Sequence, residues 1–150
     1  MVIIPVLQCD EDQTIYTLMV EQRRIADGLS LEEFAAGGVD SNTDNLKTVA
    51  CQEIREELHL SISPKELISM SDFPIRVNPD FSDGRVFFFY FEKKISLSFL
   101  QNIEGRNSGR HGDHEFIKIR VRKMSEITNC VSPSALIGLK LLEKTCKKIF

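Results

Sequence analysis

The chain has 150 residues, of which 42% are hydrophobic and 27% charged, and its formal net charge is −3 at pH 7. This length predicts one domain, residues 1–150, with a single hydrophobic core. The slightly acidic balance argues against a general nucleic-acid binder, and no apolar run is long enough to span a bilayer.

The cysteines are widely spaced along the chain and include no C-x-x-C pair: Cys9, Cys51, Cys130 and Cys146. They predict free thiols in a reducing compartment rather than a disulfide framework or a zinc site. Because residues 1–5 also lack the layout of a signal peptide, we expect a cytoplasmic protein.

The first predicted elements are two strands. Residues 2–7 form a short apolar run, residues 9–13 are polar and turn-like, and residues 14–20 alternate between apolar and polar. This pattern predicts a β-hairpin.

A helix is predicted over residues 45–58, with Asp44 as its N-cap because aspartate is favoured there. One face carries an apolar stripe that recurs every four residues: Leu46, Ala50, Ile54 and Leu58. Spacings of three and four place the carboxylates on a common face: Glu53, Glu56 and Glu57. Three carboxylates so placed repel one another unless a cation lies among them.

Residues 67–77 alternate loosely and predict a strand, and the composition of residues 78–84 predicts a loop. Residues 85–91 form a strongly apolar run that predicts a buried central strand. We assign its aromatic side chains to the core rather than to a surface that stacks bases.

Residues 102–114 predict a long loop, in which we expect His111 and His114 to be solvated. Residues 115–121 alternate and predict a strand, and residues 123–127 predict a short helical turn.

Ser132 followed by Pro133 predicts the start of a terminal helix. The apolar stripe of this helix is Ala135, Leu139, Leu142, Cys146 and Ile149.

The acidic helix and its approach resemble the Nudix box, in which Gly, five residues, Glu and seven residues precede Arg-Glu-apolar-x-Glu-Glu-x-Gly-apolar. Here Gly38, five residues, Asp44 and seven residues precede Gln-Glu-Ile-Arg-Glu-Glu-Leu-His-Leu at 52–60. Six of the nine defined positions match, and the departures are Asp44 for Glu, Gln52 for Arg and His59 for Gly. We expect the fold to tolerate His59, because histidine is enriched among residues in the left-handed region.

Residues 21–24, Glu-Gln-Arg-Arg, resemble a Glu-Gln-x-Arg stretch of the ADP-ribose and ADP-sugar pyrophosphatases of the Nudix family. In those enzymes the arginine meets a substrate phosphate, so the resemblance implies that role for Arg24. A guanidinium group suits this role because its fork can bind two phosphate oxygens together.

Residues 33–37, Glu-Phe-Ala-Ala-Gly, resemble the Glu-Leu-Pro-Ala-Gly segment of the same enzymes. The resemblance implies that Glu33 lies near the substrate and that the carbonyl of Ala36 helps to ligate metal. In this alignment Gly37, rather than Gly38, is the loop glycine.

Two later segments extend the resemblance. Pro79, Phe81 and Asp83 fit a Ser-Pro-Gly-Phe-x-Asp-Glu loop of these pyrophosphatases. Residues 112–121 resemble a segment that brings in another glutamate, for which Glu115 is the best match. The alternative interpretation makes Glu115 an ordinary acid at the end of a strand.

The resemblance implies an α/β fold, an α/β/α sandwich around a mixed β-sheet, with the box helix on one side and the terminal helix on the other. It implies Mg²⁺, with Mn²⁺ as an alternative, bound by four groups: the Ala36 carbonyl, Glu53, Glu56 and Glu57. The substrate-binding residues it implies are Arg24, Glu33 and Gln52, the last of which also hydrogen-bonds the glutamates. Glu115 is expected to act with the box glutamates as a catalytic residue that orients or deprotonates water.

These parts imply magnesium-dependent hydrolysis of the pyrophosphate of an ADP-sugar or ADP-ribose to AMP and a sugar phosphate. The expected partner is a nucleotide-sugar, with no nucleic acid and no membrane. A homodimer is compatible with the resemblance, although we expect the N-terminal dimerisation sheet of relatives to be short or missing.

Two alternatives stay open. The departures in the box allow a degraded Nudix domain that binds a nucleotide or a protein partner without turnover. A Nudix enzyme with another substrate, such as a nucleoside triphosphate, is the other alternative, which the matches at 33–37 and 79–83 disfavour.

Overall fold

The computed structural model describes residues 1–24, 28–39, 45–80, 82–109, 117–127 and 132–146. Its strands are β1 (Val2–Cys9), β2 (Ile15–Arg23), β3 (Ser30–Glu33), β4 (Ala35–Ala36), β5 (Ile68–Ser69), β6 (Ile75–Arg76), β7 (Arg85–Val86), β8 (Phe88–Ile95), β9 (Asn107–Ser108) and β10 (Ile117–Lys123). Its helices are α1 (Leu46–Leu58), α2 (Leu97–Ile103) and α3 (Pro133–Thr145), and a 3₁₀ turn covers Met124–Glu126.

Most of the described strands form one mixed sheet in the order β5-β8-β1-β2-β10-β9, in which β3 also pairs with β2 and β4 with β1. β1 and β8 run parallel over their whole length, whereas β1 and β2 pair antiparallel as the predicted hairpin. β6 and β7 form a separate antiparallel pair.

β1 shows why the sheet is covered on both faces. Its side chains alternate between two hydrophobic cores, one on each face of the sheet. Because both faces of the strand are buried, its sequence is a nearly continuous apolar run. Ile3 and Leu7 pack in the core that contains Ala50, Ile54 and Leu58 of α1. Ile4 and Val6 pack in the opposite core with Ala135 and Leu142 of α3. The expected α/β/α sandwich, with the box helix and the terminal helix on opposite sides, is therefore confirmed.

The predicted apolar strand over residues 85–91 is confirmed in part, because residues 88–91 lie in β8 whereas residues 85–86 form β7 in the separate pair. The aromatic residues of β8 are buried in the two cores as expected: Phe88, Phe89, Tyr90 and Phe91. The 3₁₀ turn and α3 also lie where the sequence predicts them, with Ser132 as the N-cap of α3 and Pro133 at its first turn. Ile149, the last residue of the predicted apolar stripe, lies outside the described residues.

The prediction of one strand over residues 67–77 is wrong. Only residues 68–69 and 75–76 are strands, and they belong to different sheets. Ser69 Oγ donates to the carbonyl of Ser71, and Ser71 Oγ donates to that of Phe73, both at 2.8 Å. Such local side-chain bonds compete with a strand ladder and bend the chain.

α2 is an element that the sequence did not predict, and its end, residues 102–103, falls in the predicted long loop. Ser96 caps its first turn by accepting from the N–H of Phe99. Glu11, far away in the chain, accepts from the N–H of Leu97 at 2.9 Å. The start of α2 thus depends on a tertiary contact.

Within the described part of the chain, no helix combines the length and apolar character needed to cross a membrane.

Candidate active site

The acidic helix begins one residue later than predicted. Asn45 is the N-cap of α1, and its side chain accepts from the N–H of Thr48 at 3.2 Å. Asp44, the predicted cap, lies outside the described residues. At the other end the helix closes on His59 in the left-handed conformation, with φ 51°. The position that is glycine in the Nudix box therefore keeps its helix-ending role as a histidine.

Glu57 joins the helix to the predicted metal-binding segment. Its side chain is buried, with 8% of the residue exposed. Its Oε2 accepts from the backbone N–H of Ala36 at 3.1 Å, which links α1 to β4. The burial of this carboxylate is matched by a hydrogen bond, as a buried charge requires. The structure brings Ala36 to Glu57 through its amide, and a role of its carbonyl as a metal ligand stays a prediction.

Glu53 lies against Gly37. A Cβ atom at position 37 would come within 2.3 Å of the Glu53 carboxyl carbon, whereas a Cβ at Gly38 would meet nothing within 4 Å. Of the two neighbouring glycines, Gly37 is the one whose missing side chain makes room for a box glutamate. This agrees with the alignment that makes Gly37 the loop glycine.

A positive group lies beside the same carboxylate. The amino group of Met1 donates to the carbonyl of Gly37 at 2.6 Å. Burial lowers the pKa of this amino group, and the negative charge of Glu53 acts in the opposite direction. The net pKa of this amino group is lowered, so Glu53 offsets only part of the cost of burying its positive charge.

Glu56 is held from its side chain and from its backbone. Gln52 Nε2 donates to Glu56 Oε1 at 2.9 Å, so the glutamine retains the hydrogen bond expected at this position. The carbonyl of Glu56 accepts from the N–H of Gly109 at 3.2 Å. Gln52 therefore contacts one of the box glutamates, Glu56. A contact of Gln52 with substrate stays a prediction.

Arg24 and Glu33, both predicted to bind substrate, form an ion pair with each other. Arg24 Nε donates to Glu33 Oε2 at 2.8 Å, and its Nη2 contacts the same oxygen. The arginine side chain is 46% exposed and that of the glutamate 16%. The pair orients a guanidinium group that solvent, and hence a ligand, can reach.

Sequence analysis missed the ion pairs that connect β2, β3 and β10. Arg120 Nε donates to Glu21 at 2.6 Å and its Nη1 to Glu104 at 3.1 Å, and both carboxylates raise the pKa of Arg120. Arg122 Nε donates to Glu32 at 2.9 Å, one residue before Glu33. The available signal was two arginines at alternate positions, Arg120 inside the predicted strand and Arg122 directly after it. These pairs fix the strand that carries Glu33.

The oxygen-rich character of the box suits a hard divalent ion, because Mg²⁺ prefers carboxylates and carbonyls. Among the residues that the structure describes, no group of three or more His, Cys, Asp or Glu side chains converges on one point. The fit of the metal therefore rests on the donor chemistry of the three glutamates and on the contacts of Glu53 with Gly37 and of Glu57 with Ala36.

Three predicted features fall outside the described residues. These are Glu115, the histidines of the predicted loop, and Phe81 of the Pro-x-Phe-x-Asp segment. Pro79 and Asp83 are described and lie exposed on the surface.

Solved structures with this fold include Nudix proteins. A crystal structure of an ADP compounds hydrolase superposes with a TM-score of 0.66 at 11% identity and covers 97% of this chain and 71% of its own. A MutT/Nudix family protein from Listeria innocua superposes with a TM-score of 0.61 at 19% identity, and the match covers 98% of this chain and 90% of that protein. The Nudix domain of Shewanella oneidensis NrtR, solved in complex with ADP ribose, superposes with a TM-score of 0.58 at 12% identity, and the match covers 95% of this chain and 85% of that domain. The chain has the Nudix fold, and the resemblance found in the sequence is confirmed.

No protein-family model matches the chain. Among curated proteins, Nudix hydrolase 14, chloroplastic, of Arabidopsis thaliana is 22% identical over 125 residues, which cover 79% of this chain. The match spans 40% of the length of that relative.

Proposed function

We propose that this protein is a Nudix hydrolase that cleaves the pyrophosphate of an ADP-ribose or ADP-sugar to AMP and a sugar phosphate. The observation that carries the proposal is the meeting of two separate motifs. Glu57 bonds to Ala36, and Glu53 packs on Gly37, so the box helix faces the Glu-x-x-Ala-Gly segment. A neighbour of the same fold is solved with ADP ribose.

In this proposal Glu53, Glu56 and Glu57, with the carbonyl of Ala36, hold Mg²⁺ or Mn²⁺. The metal, when bound, neutralises phosphate charge and lowers the pKa of a coordinated water. The protein's own part is to orient these carboxylates. The N–H of Ala36 does this for Glu57, and the amide of Gln52 does it for Glu56.

Arg24 binds the phosphate oxygens in this proposal. Two of its N–H groups contact Glu33, and a guanidinium group has five, so others can donate to a phosphate. Glu33 would orient the guanidinium and lie near the substrate. Glu115 is proposed to orient or deprotonate the attacking water.

The test measures the nucleoside monophosphate released from ADP-ribose, ADP-glucose, UDP-glucose and a nucleoside triphosphate, which is AMP for the two ADP-linked substrates and UMP for UDP-glucose, with magnesium and with excess chelator. We expect turnover of an ADP-linked substrate that chelator abolishes and that falls by at least about a hundredfold in Glu56→Gln. Glu143→Gln is the matched control, because Glu143 is also a helical acid but lies on α3 in a pair with Lys140. Equal turnover by both variants would contradict the assignment of Glu56.

The alternative is a Nudix domain that binds a nucleotide or protein partner without turnover. Gln52 and His59 at the Arg and Gly positions of the box favour it. Calorimetric binding of ADP-ribose by wild-type protein, with no AMP released over hours, would establish the alternative instead.

We also propose a reducing, cytoplasmic location and a homodimer. The thiols of Cys9 and Cys51 are free and buried in the fold, which suits a reducing location. The dimer rests on the sequence resemblance, and light scattering of the purified protein tests it.

A further inference from the structure

His59 lies where the acidic helix meets a strand that comes much later in the chain. It ends α1 in the left-handed conformation, and its ring Nε2 lies 3.3 Å from the carbonyl oxygen of Asn107, 48 residues later. Because a carbonyl can only accept a hydrogen bond, Nε2 carries the proton in this contact. The side chain thus connects the end of α1 to β9.

The segment that His59 reaches returns a bond to the same helical turn. The N–H of Gly109, directly after β9, donates to the carbonyl of Glu56 at 3.2 Å. The last carbonyls of a helix have no partner within it, so this bond supplies one. β9 is in turn paired with β10, with Ser108 opposite Ile117. Two contacts therefore join the turn that carries Glu56 to the edge of the sheet.

We infer that His59 is a positioning residue, which holds residues 107–109 against α1 and thereby fixes Glu56. This inference rests on the proposed function, in which Glu56 is catalytic. Glycine, the residue of the Nudix box at this position, would fit the left-handed backbone with less strain. It would also remove the donor to Asn107. The histidine thus adds backbone strain at the end of the helix, and in return its ring makes a contact with Asn107 that glycine cannot make.

The test compares His59→Gly with His59→Gln. The glycine variant removes the donor, and the glutamine variant can place an amide N–H where Nε2 now lies. Gln13 shows that glutamine adopts this backbone conformation in the same protein, with φ 58°. Gln13→Gly is the matched control, because it relieves the same backbone strain in the β1–β2 turn, away from β9, and likewise removes side-chain hydrogen bonds, here with Gln8 and Asp10.

We expect His59→Gly to leave the melting temperature nearly unchanged, as Gln13→Gly should, because the relieved backbone strain offsets the lost hydrogen bond, and yet to lower kcat about two- to tenfold, as the loss of one hydrogen bond predicts. KM should stay within about twofold, because the substrate-binding groups are untouched. His59→Gln should keep the wild-type kcat. A folding defect would instead lower stability and activity together.

Hydrogen exchange gives a readout that needs no turnover. The amides of residues 107–109 should exchange faster in His59→Gly than in wild type, and at the wild-type rate in His59→Gln. Unchanged exchange in His59→Gly, or equal losses in both variants, would overturn the inference. Absence of turnover in the wild type would refute the proposed function, and the exchange rates would still decide whether His59 fixes this segment.

Discussion

Glu53 packs directly on the backbone of Gly37, leaving no room for a side chain there. A Cβ atom at position 37 would lie 2.3 Å from one atom of Glu53 and 2.4 Å from another, well inside the closest contact that real atoms show. The glycine that follows, Gly38, has open space around the same point. Two adjacent glycines therefore have different roles, and the difference can be tested.

Gly37→Ala should displace Glu53 or shift β4, whereas Gly38→Ala should be tolerated. Overpacking of this kind typically costs about 1–3 kcal/mol of unfolding free energy. We expect Gly37→Ala to lose that stability and to lower kcat at least about tenfold, because Glu53 is a proposed metal ligand. Denaturant unfolding and AMP release measure both effects. Equal behaviour of the two variants would show that Glu53 does not need the space at Gly37.

The helix and its glutamates could be predicted because their signal is local. A stripe such as Ala50, Ile54 and Leu58 specifies which face is buried, whatever it packs against. The local pattern does not identify the segment against which the helix packs. Nothing in residues 33–37 indicates that the Ala36 amide will bond to Glu57, and only the resemblance to a family placed the two segments together.

The elements that sequence analysis missed depend on contacts between distant residues. α2 begins where Glu11 meets the N–H of Leu97, and no pattern near residue 97 reveals a partner 86 residues earlier. The ion pair of Arg24 with Glu33 has the same origin, because it joins the segment that follows β2 to β3, which pairs antiparallel with β2. Local periodicity predicts elements, whereas the site depends on how they pair.

Thr17 is fully buried in β2, and its hydroxyl has no hydrogen-bond partner within the described residues. A buried polar group without a partner costs stability. Thr17→Val keeps the shape and removes the hydroxyl, so we expect it to raise the unfolding free energy by about 1 kcal/mol. Thr145→Val is the control, because that hydroxyl donates to the carbonyl of Leu141 at 2.9 Å. A loss of stability in Thr17→Val would show that the hydroxyl is satisfied in solution.

Glu11 should make stability depend on pH. The N–H of Leu97 and the thiol of Cys9 both lower the pKa of this carboxyl below its ordinary value of 4.5. A depressed pKa stabilises the fold above the ordinary value, and that stabilisation is lost as pH falls through the folded-state value. Glu11→Gln should therefore be less stable than wild type at pH 7, with a difference that shrinks below pH 4.5. Urea unfolding at pH 7, 5, 4 and 3 measures it, and a difference independent of pH would contradict the role of the charge.

Gln52→Arg should raise kcat, because it restores a charge beside Glu56. The present amide, which is itself uncharged, donates one hydrogen bond to Glu56 Oε1. A guanidinium at the same place would form an ion pair with the carboxylate, which is worth about 1 kcal/mol more, or roughly a fivefold increase in rate. The cation would also favour the ionised form of the glutamate, which the proposed chemistry requires.

Gln101→Arg is the control for added charge, since Gln101 is an exposed glutamine on α2. It should leave kcat unchanged while altering the net charge equally. Steady-state rates of AMP release, with melting curves to verify folding, decide the question. A folded Gln52→Arg protein that is no faster than wild type would mean that the glutamine already gives Glu56 all the support that the reaction uses.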